Sequence, residues 1–130
     1  MRMVVVIMIL REFIKIVKND RENDSNKMSG VTQTIKSVAK KYKDEFYNFI
    51  KDEPSFDSKE FGTFVAGLIE LICNDLKINP PGWIFDKKYY LDKPYSKLYG
   101  YNRIPNSLVT CTLFCFSSRN YYTNENGILV

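Results

Sequence analysis

Residues 80–94 read PPGWIFDKKYYLDKP, and this stretch separates two halves of the chain that have different patterns. The double proline and Gly82 stop the preceding element, because proline donates no backbone hydrogen bond and glycine suits a turn. Between this stop and Pro94 lie the only tryptophan, Trp83, and two adjacent tyrosines. We therefore predict that residues 80–94 form a rigid aromatic connector between a helical front half and an irregular back half.

The segment from Val31 to Ile50 has the pattern of an amphipathic helix. Its apolar side chains recur at steps of three and four residues, which places them on one stripe of a helix. Pro54 ends the pattern because it cannot continue a helical hydrogen-bond ladder. These features predict a first helix over residues 31–53.

A second helical pattern lies directly before the connector. Asp57 and Glu60 have the spacing of a capping box, in which side chains satisfy free N–H groups of the first turn. A wide apolar stripe with small residues follows, so we expect a helix over residues 58–78 to be the most buried element. We interpret Glu70 and Asp75 as surface or edge charges, because they lie five positions apart on the helix and point in different directions.

The back half offers two structural interpretations for one segment. Residues 108–116 read LVTCTLFCF, and their β-branched and aromatic side chains favour a buried strand. A 3, 1, 3 spacing of Leu108, Cys111, Thr112 and Cys115 also fits a helix, so both alternatives remain open. A short helical turn is predicted for Asp86 to Leu91, and a short tail for residues 121–130.

The first 27 residues are predicted to be an N-terminal extension. The apolar run Met3 to Leu10 is too short to span a bilayer, since a spanning helix needs about 20 residues. A polar linker follows it, and the flanking charges do not fit a signal peptide. The alternative is an N-terminal helix packed onto the domain. We predict a cytoplasmic protein without stable membrane insertion.

The fold prediction is a mainly α single domain over residues 28–130. Two antiparallel amphipathic helices, at about 31–53 and 58–78, form its core. The aromatic-rich, irregular C-terminal half wraps these helices and includes a short strand or helix at 108–116.

Composition limits the chemistry that the chain can perform. There is no histidine, which is the commonest general base and metal ligand. The three cysteines lack a CxxC spacing, which argues against a disulfide framework or a zinc site. We predict no catalytic, cofactor-binding or metal site and no small-molecule substrate. The net charge of +4 permits a polyanionic partner without requiring one.

Residues 68–95 combine a predicted helix, a Pro-x-Trp turn and a Tyr-Leu-x-x-Pro run, and residues 119–129 read RNYYTNENGIL. With these motifs the chain resembles a group of small uncharacterised bacterial helical proteins, which have the same helix, turn and run and a closing Arg-Asn segment. The resemblance covers about 39 of the 130 residues. Such proteins are associated by inference, as antitoxin-like partners, with nucleotidyltransferase-like toxins. The resemblance therefore implies a protein partner, a toxin-like neighbour, and it supplies no catalytic residues to carry over.

The first functional hypothesis is a non-enzymatic, antitoxin-like or regulatory protein-interaction module. It would bury an apolar, aromatic surface against a protein partner, because such interfaces favour Tyr, Trp and Arg. The candidate interaction residues are Trp83, Tyr89, Tyr90 and Arg119.

The alternative hypothesis is a nucleic-acid-binding protein that uses residues 83–103. Aromatic rings interleaved with basic side chains can hold single-stranded nucleic acid. The candidate contacts are Lys87, Lys88, Lys93, Lys97 and Arg103. The sequence gives an enzymatic function the least support.

Overall fold

The computed structural model of the chain describes residues 35–56, 58–97, 99–101 and 103–123. The predictions for residues 1–27, Val31 and Asp57 concern positions outside these ranges. The structure is mainly helical, which confirms the predicted fold class. Its elements are α1 (residues 35–41), α2 (Lys43–Ile50), α3 (Lys59–Leu76), two 3-10 helices (Gly82–Phe85 and Lys87–Tyr89), strands β1 (Tyr95–Ser96) and β2 (Gly100–Tyr101), α4 (Asn106–Cys111) and α5 (Phe114–Ser117).

The predicted helix over 31–53 is wrong in its continuity. Helices α1 and α2 are separated at Tyr42, whose backbone has φ −127° and ψ 62°. Backbone hydrogen bonds of 2.9 Å still join Tyr42 N–H to Val38 and Phe46 N–H to Tyr42. Neither proline nor glycine lies near Tyr42, and nothing in the sequence explains the break.

Helix α2 ends at Ile50, earlier than predicted, because Pro54 cannot continue its hydrogen bonding. The carbonyl of Ile50 would accept the N–H of residue 54 in a continuing helix, but proline has none. The indole Nε1–H of Trp83 donates to this carbonyl instead, at 2.7 Å. The aromatic connector is thereby fixed to the end of α2.

Helix α3 is the most buried element, as predicted. Every residue from Gly62 to Ile69 is buried, because neighbours pack against all of its faces. The observed N-cap is Ser58, one residue later than predicted, and its hydroxyl accepts the N–H of Phe61 at 3.1 Å. At the other end Lys77 takes a left-handed conformation (φ 58°) in a Schellman-type cap.

The connector packs onto α3, as predicted. Ile84, Tyr89 and Leu91 are buried in the core, and the predicted turn is the 3-10 helix Lys87–Tyr89. The carboxylate of Asp86 caps this turn by accepting the N–H of Lys88 at 3.1 Å.

The strand alternative for residues 108–116 is wrong, and the helical alternative is confirmed by α4 and α5. Phe116 of α5 is fully buried and stacks on Phe64 of α3, with ring centroids 5.8 Å apart. Tertiary packing of this kind overrides β propensity, because burial of a large ring outweighs a small backbone preference.

The described residues that follow α5 continue the core. Tyr121 is only 3% exposed and forms a parallel bridge with Tyr95 of the β1–β2 hairpin. Thr123 is also buried, so residues 121–123 do not behave as the predicted tail. Asn120 makes the turn possible with φ 60°, a conformation that asparagine tolerates well.

The contact between α3 and α5 depends on the missing side chain of Gly67. A Cβ atom at this position would lie 2.7 Å from Cδ1 of the buried Phe116 ring. We predict that Gly67→Ala lowers the free energy of unfolding by about 1–3 kcal/mol through overpacking, despite the higher helix propensity of alanine. Urea denaturation measures the effect.

Gly82→Ala is the matched control, since a Cβ there meets nothing within 4 Å. Its free energy of unfolding should stay within about 0.5 kcal/mol of the wild-type value. Equal stabilities of the two variants would contradict the close packing of α5 on α3.

Candidate functional site

A buried arginine positions the aromatic connector. The Arg119 side chain is fully buried, and its two terminal nitrogens donate to the carbonyl of Ile84 at 2.7 Å and to the carboxylate of Glu70 at 2.9 Å. Its guanidinium carbon lies 4.6 Å from the centre of the Tyr90 ring and 5.6 Å from that of Phe85. One side chain thus joins α3, the connector and the segment after α5.

The backbone next to Arg119 reinforces this junction. The carbonyl of Arg119 accepts the N–H of Leu91 at 3.0 Å, and the side-chain amide of Asn120 donates to the carbonyl of Leu91 at 2.7 Å. The Arg-Asn pair of the closing segment therefore binds the connector through both side chains and backbone. Its role in the structure is to hold residues 84–91 against α3.

An apolar cavity of about 240 Å³ lies beside the positioned connector. Phe46 and Ile50 of α2 form one wall, Leu68 and Ile69 of α3 form another, and the indole of Trp83 completes the lining. Apart from Asp52 and Glu53, every lining side chain is apolar or the indole of Trp83. The cavity is therefore suited to apolar groups, which it would remove from water.

The two charged residues that line the cavity are exposed to solvent. Asp52 and Glu53 follow the end of α2, and both are exposed. The carboxylate of Glu53 pairs with the ammonium of Lys88 at 2.6 Å and accepts a hydrogen bond from the hydroxyl of Tyr89. We refer to Asp52 and Glu53 as the cavity mouth.

The Glu53 cluster shifts the pKa values of its members. The hydrogen bond from Lys88, followed by the bond from Tyr89, holds the pKa of the Glu53 carboxyl below its ordinary value. Burial and then the bond to Glu53 raise the pKa of Tyr89 above its ordinary value. At neutral pH the cluster is therefore a carboxylate, an ammonium and a neutral phenol.

The four predicted interaction residues differ in accessibility. Trp83 and Tyr90 are half-buried, whereas Tyr89 is 4% exposed and Arg119 is fully buried. Trp83 lines the cavity, Tyr90 covers Arg119, and Arg119 holds the connector in place. Trp83 is therefore partly accessible to solvent, whereas Tyr89 and Arg119 lie beneath the surface.

The residues predicted for nucleic-acid contact lie in the connector and in the β1–β2 hairpin with its flanking residues, which we call the hairpin region (residues 93–103). Lys87, Lys88, Lys93 and Arg103 are exposed, and Lys97 is half-buried. Lys88 is engaged by Glu53, so its charge is partly neutralised.

Sequence reasoning missed Glu70 and the carbonyl of Ile50. Glu70, interpreted as a surface or edge charge, is half-buried, and its carboxylate is the ion-pair partner of the buried Arg119. Glu70 and Arg119 are 49 positions apart in the sequence, so no local sequence pattern indicates that they form a pair. For Ile50 a signal existed, since Pro54 four residues later leaves its carbonyl without a helical donor.

The buried thiols of the described region show no sign of activation. Burial, followed by the nearby charge of Glu70, raises the pKa of Cys73 to about 11 and that of Cys115 above its ordinary value. Reactive cysteines have lowered pKa values, so both are typical of core residues. Within the described ranges, no cluster of three or more His, Cys, Asp or Glu side chains could hold a metal ion.

Comparison with known proteins leaves the family open. Scans against protein-family models, curated proteins and solved structures gave no match to this chain. Among the described residues, none of the helices combines the length and apolarity needed to cross a membrane.

We predict that Glu70→Ala destabilises the protein by about 3 kcal/mol, because it leaves a buried guanidinium without its counter-charge. Replacing both partners, as Glu70→Leu with Arg119→Met, should cost less than the sum of the two single changes. Urea denaturation of the wild type, Glu70→Leu, Arg119→Met and the variant with both changes measures the coupling.

Asp75→Ala on the same helix is the control, since Asp75 is exposed, and its effect should remain within about 0.5 kcal/mol. If Glu70→Ala were equally harmless, the ion pair would not hold the connector.

We predict that Glu53 contributes to stability at neutral pH and loses this contribution in acid. Its folded-state pKa is lowered, so the contribution is lost as the pH falls from about 4.5 through that lower value. Glu53→Gln should therefore flatten the fall of the free energy of unfolding in this range. Asp52→Asn is the neighbouring control, and an identical pH dependence in both variants would contradict the role assigned to Glu53.

Proposed function

We propose that this protein is a non-enzymatic protein-interaction module of the bacterial cytoplasm, antitoxin-like or regulatory in role, that binds a protein partner at the cavity beside Trp83. The observation that carries the proposal is the cavity itself, whose walls are apolar and whose lining includes the only tryptophan. Tryptophan is enriched among residues that dominate binding energy, especially where a partner side chain fills a desolvated pocket.

The construction around Trp83 supports the same proposal. Its indole is held by the hydrogen bond to Ile50, so little side-chain freedom is lost when a partner binds. The connector that carries it is held by Arg119. A preorganised aromatic side chain on a rigid support is an effective recognition surface.

A second candidate function, nucleic-acid binding, is favoured by one feature of the hairpin region. The exposed rings of Tyr99 and Tyr101 lie in the same part of the chain as the exposed Lys93 and Arg103. Stacking and phosphate contacts could use such a set. The hydroxyl of Tyr101 donates to the carboxylate of Glu60, which adds a negative charge beside these groups and weakens this candidate.

We predict that filling the cavity abolishes partner binding. Ile69→Phe adds volume to the α3 wall, whereas Leu71→Phe makes a similar change on the same helix outside the cavity lining. The tagged full-length protein and the two variants are incubated with lysate of the source cell, and the captured proteins are compared by mass spectrometry. The Leu71→Phe variant should retain a protein that Ile69→Phe loses.

Circular dichroism first establishes that each variant is folded, and Val65→Leu provides a smaller filling change if Ile69→Phe is not. A salt titration then separates the two candidates, because phosphate contacts weaken steeply with salt and an apolar contact does not. Capture of nucleic acid alone, released at moderate salt and insensitive to Ile69→Phe, would overturn the proposal.

A further inference from the structure

We infer that the cavity beside Trp83 takes one large apolar side chain of a partner segment that carries a lysine or arginine next to it. This inference rests on the proposed function and adds the chemistry of the partner. Its basis is the combination of apolar walls with a carboxylate-bearing mouth.

The size of the cavity sets the apolar group. A cavity of about 150 Å³ lined by aliphatic and aromatic side chains accepts a benzene-sized molecule. The present cavity, at about 240 Å³, therefore has room for one Leu, Met or Phe side chain inserted from its mouth. Phe46, Ile50 and Leu68 offer such a group only apolar contacts, so a polar side chain would lose its hydration without compensation.

The charge of the mouth sets the neighbouring group. Asp52 and Glu53 are the charged residues of the lining, and both are acidic. Lys88 already neutralises Glu53, whereas the exposed carboxylate of Asp52 lies outside that cluster. Lys51 precedes it in the chain and is exposed, but it does not line the cavity.

The C-terminal end of α2 adds to the negative charge at the cavity mouth. The last turn of α2 contains no basic residue, its C-cap is Lys51, and its C-terminal carbonyls carry the partial negative charge of the helix dipole. Asp52 lies two residues beyond this end, so the two features act together on a charge at the mouth. A cation beside the inserted side chain is favoured there, and an anion is repelled.

An amphipathic helix meets both requirements with a short sequence. Its apolar residue enters the cavity, and a basic residue one turn away lies over the mouth. The partner segment is therefore distinguished from other apolar segments by the sign of its flanking charge.

Trp83 provides a direct measurement, because it is the only tryptophan and it lines the cavity. Three tryptophan-free synthetic peptides of about 15 residues are titrated into the full-length protein, a length near the limit at which isolated helices form. The first carries a central Phe flanked by Lys, the second the same Phe flanked by Glu, and the third Ala flanked by Lys. The change in Trp83 fluorescence gives each dissociation constant.

The Lys-flanked Phe peptide should bind saturably, and about fivefold to tenfold more tightly than its Glu-flanked counterpart, as expected for an exposed charge interaction. The Ala peptide should not change the fluorescence. Asp52→Asn should raise the dissociation constant of the Lys-flanked peptide by about threefold and should not raise that of the Glu-flanked peptide. Ile69→Phe should remove binding of both Phe peptides.

Equal affinities for the Lys-flanked and Glu-flanked peptides would overturn the inference about charge. Binding of the Ala peptide, or binding unaffected by Ile69→Phe, would place the contact outside the cavity and overturn it as well. If a captured partner is lost in Ile69→Phe while the peptides show no charge preference, only the partner chemistry is wrong and the proposed function stands. If the Ile69→Phe variant still binds the captured partner and the Phe peptides, both the proposed function and the inference about the partner are wrong.

Discussion

The burial of one guanidinium group governs how the second half of this chain is arranged. A charge taken out of water must be compensated, and Arg119 finds its compensation in Glu70 of α3 and in the carbonyl of Ile84. The rings of Tyr90 and Phe85 cover the group and add cation–π attraction. Because Glu70 belongs to α3 while Ile84, Phe85 and Tyr90 belong to the connector, the requirement to satisfy one charge determines where the connector lies on α3.

The candidate site follows from this constraint together with a second one at the end of α2. Arg119 holds the connector through its hydrogen bond to the carbonyl of Ile84. One residue earlier, the indole of Trp83 donates a hydrogen bond to the carbonyl of Ile50, which has no helical donor because residue 54 is proline. The indole is thereby held beside the apolar faces of α2 and α3, and the cavity lies among these three elements. Structural hydrogen bonds and the proposed recognition surface thus depend on the same few residues.

Local patterns in the sequence predicted the parts of the fold that local physics controls. Amphipathic spacing predicted the burial of α3, and proline with glycine predicted the connector. The Glu70–Arg119 pair joins residues 49 positions apart, a relation that no periodic pattern encodes. Residues 108–116 were ambiguous because their propensity favours a strand, while the fit of Phe116 against Gly67 of α3 selects a helix. The prediction of Trp83 as an interaction residue came from residue type alone, whereas the cavity beside it required the tertiary structure.

The most direct test of the account is native-state hydrogen exchange of the Arg119→Met variant, followed amide by amide. The N–H groups of Leu91 and Tyr95 are bonded to the backbone of Arg119 and Asn120, so they report whether the connector remains docked. If the guanidinium holds the connector, these amides should lose far more protection than the central amides of α3, because the connector opens as a local unit. Equal loss of protection in both regions, or no loss at Leu91 and Tyr95, would contradict the central role of Arg119.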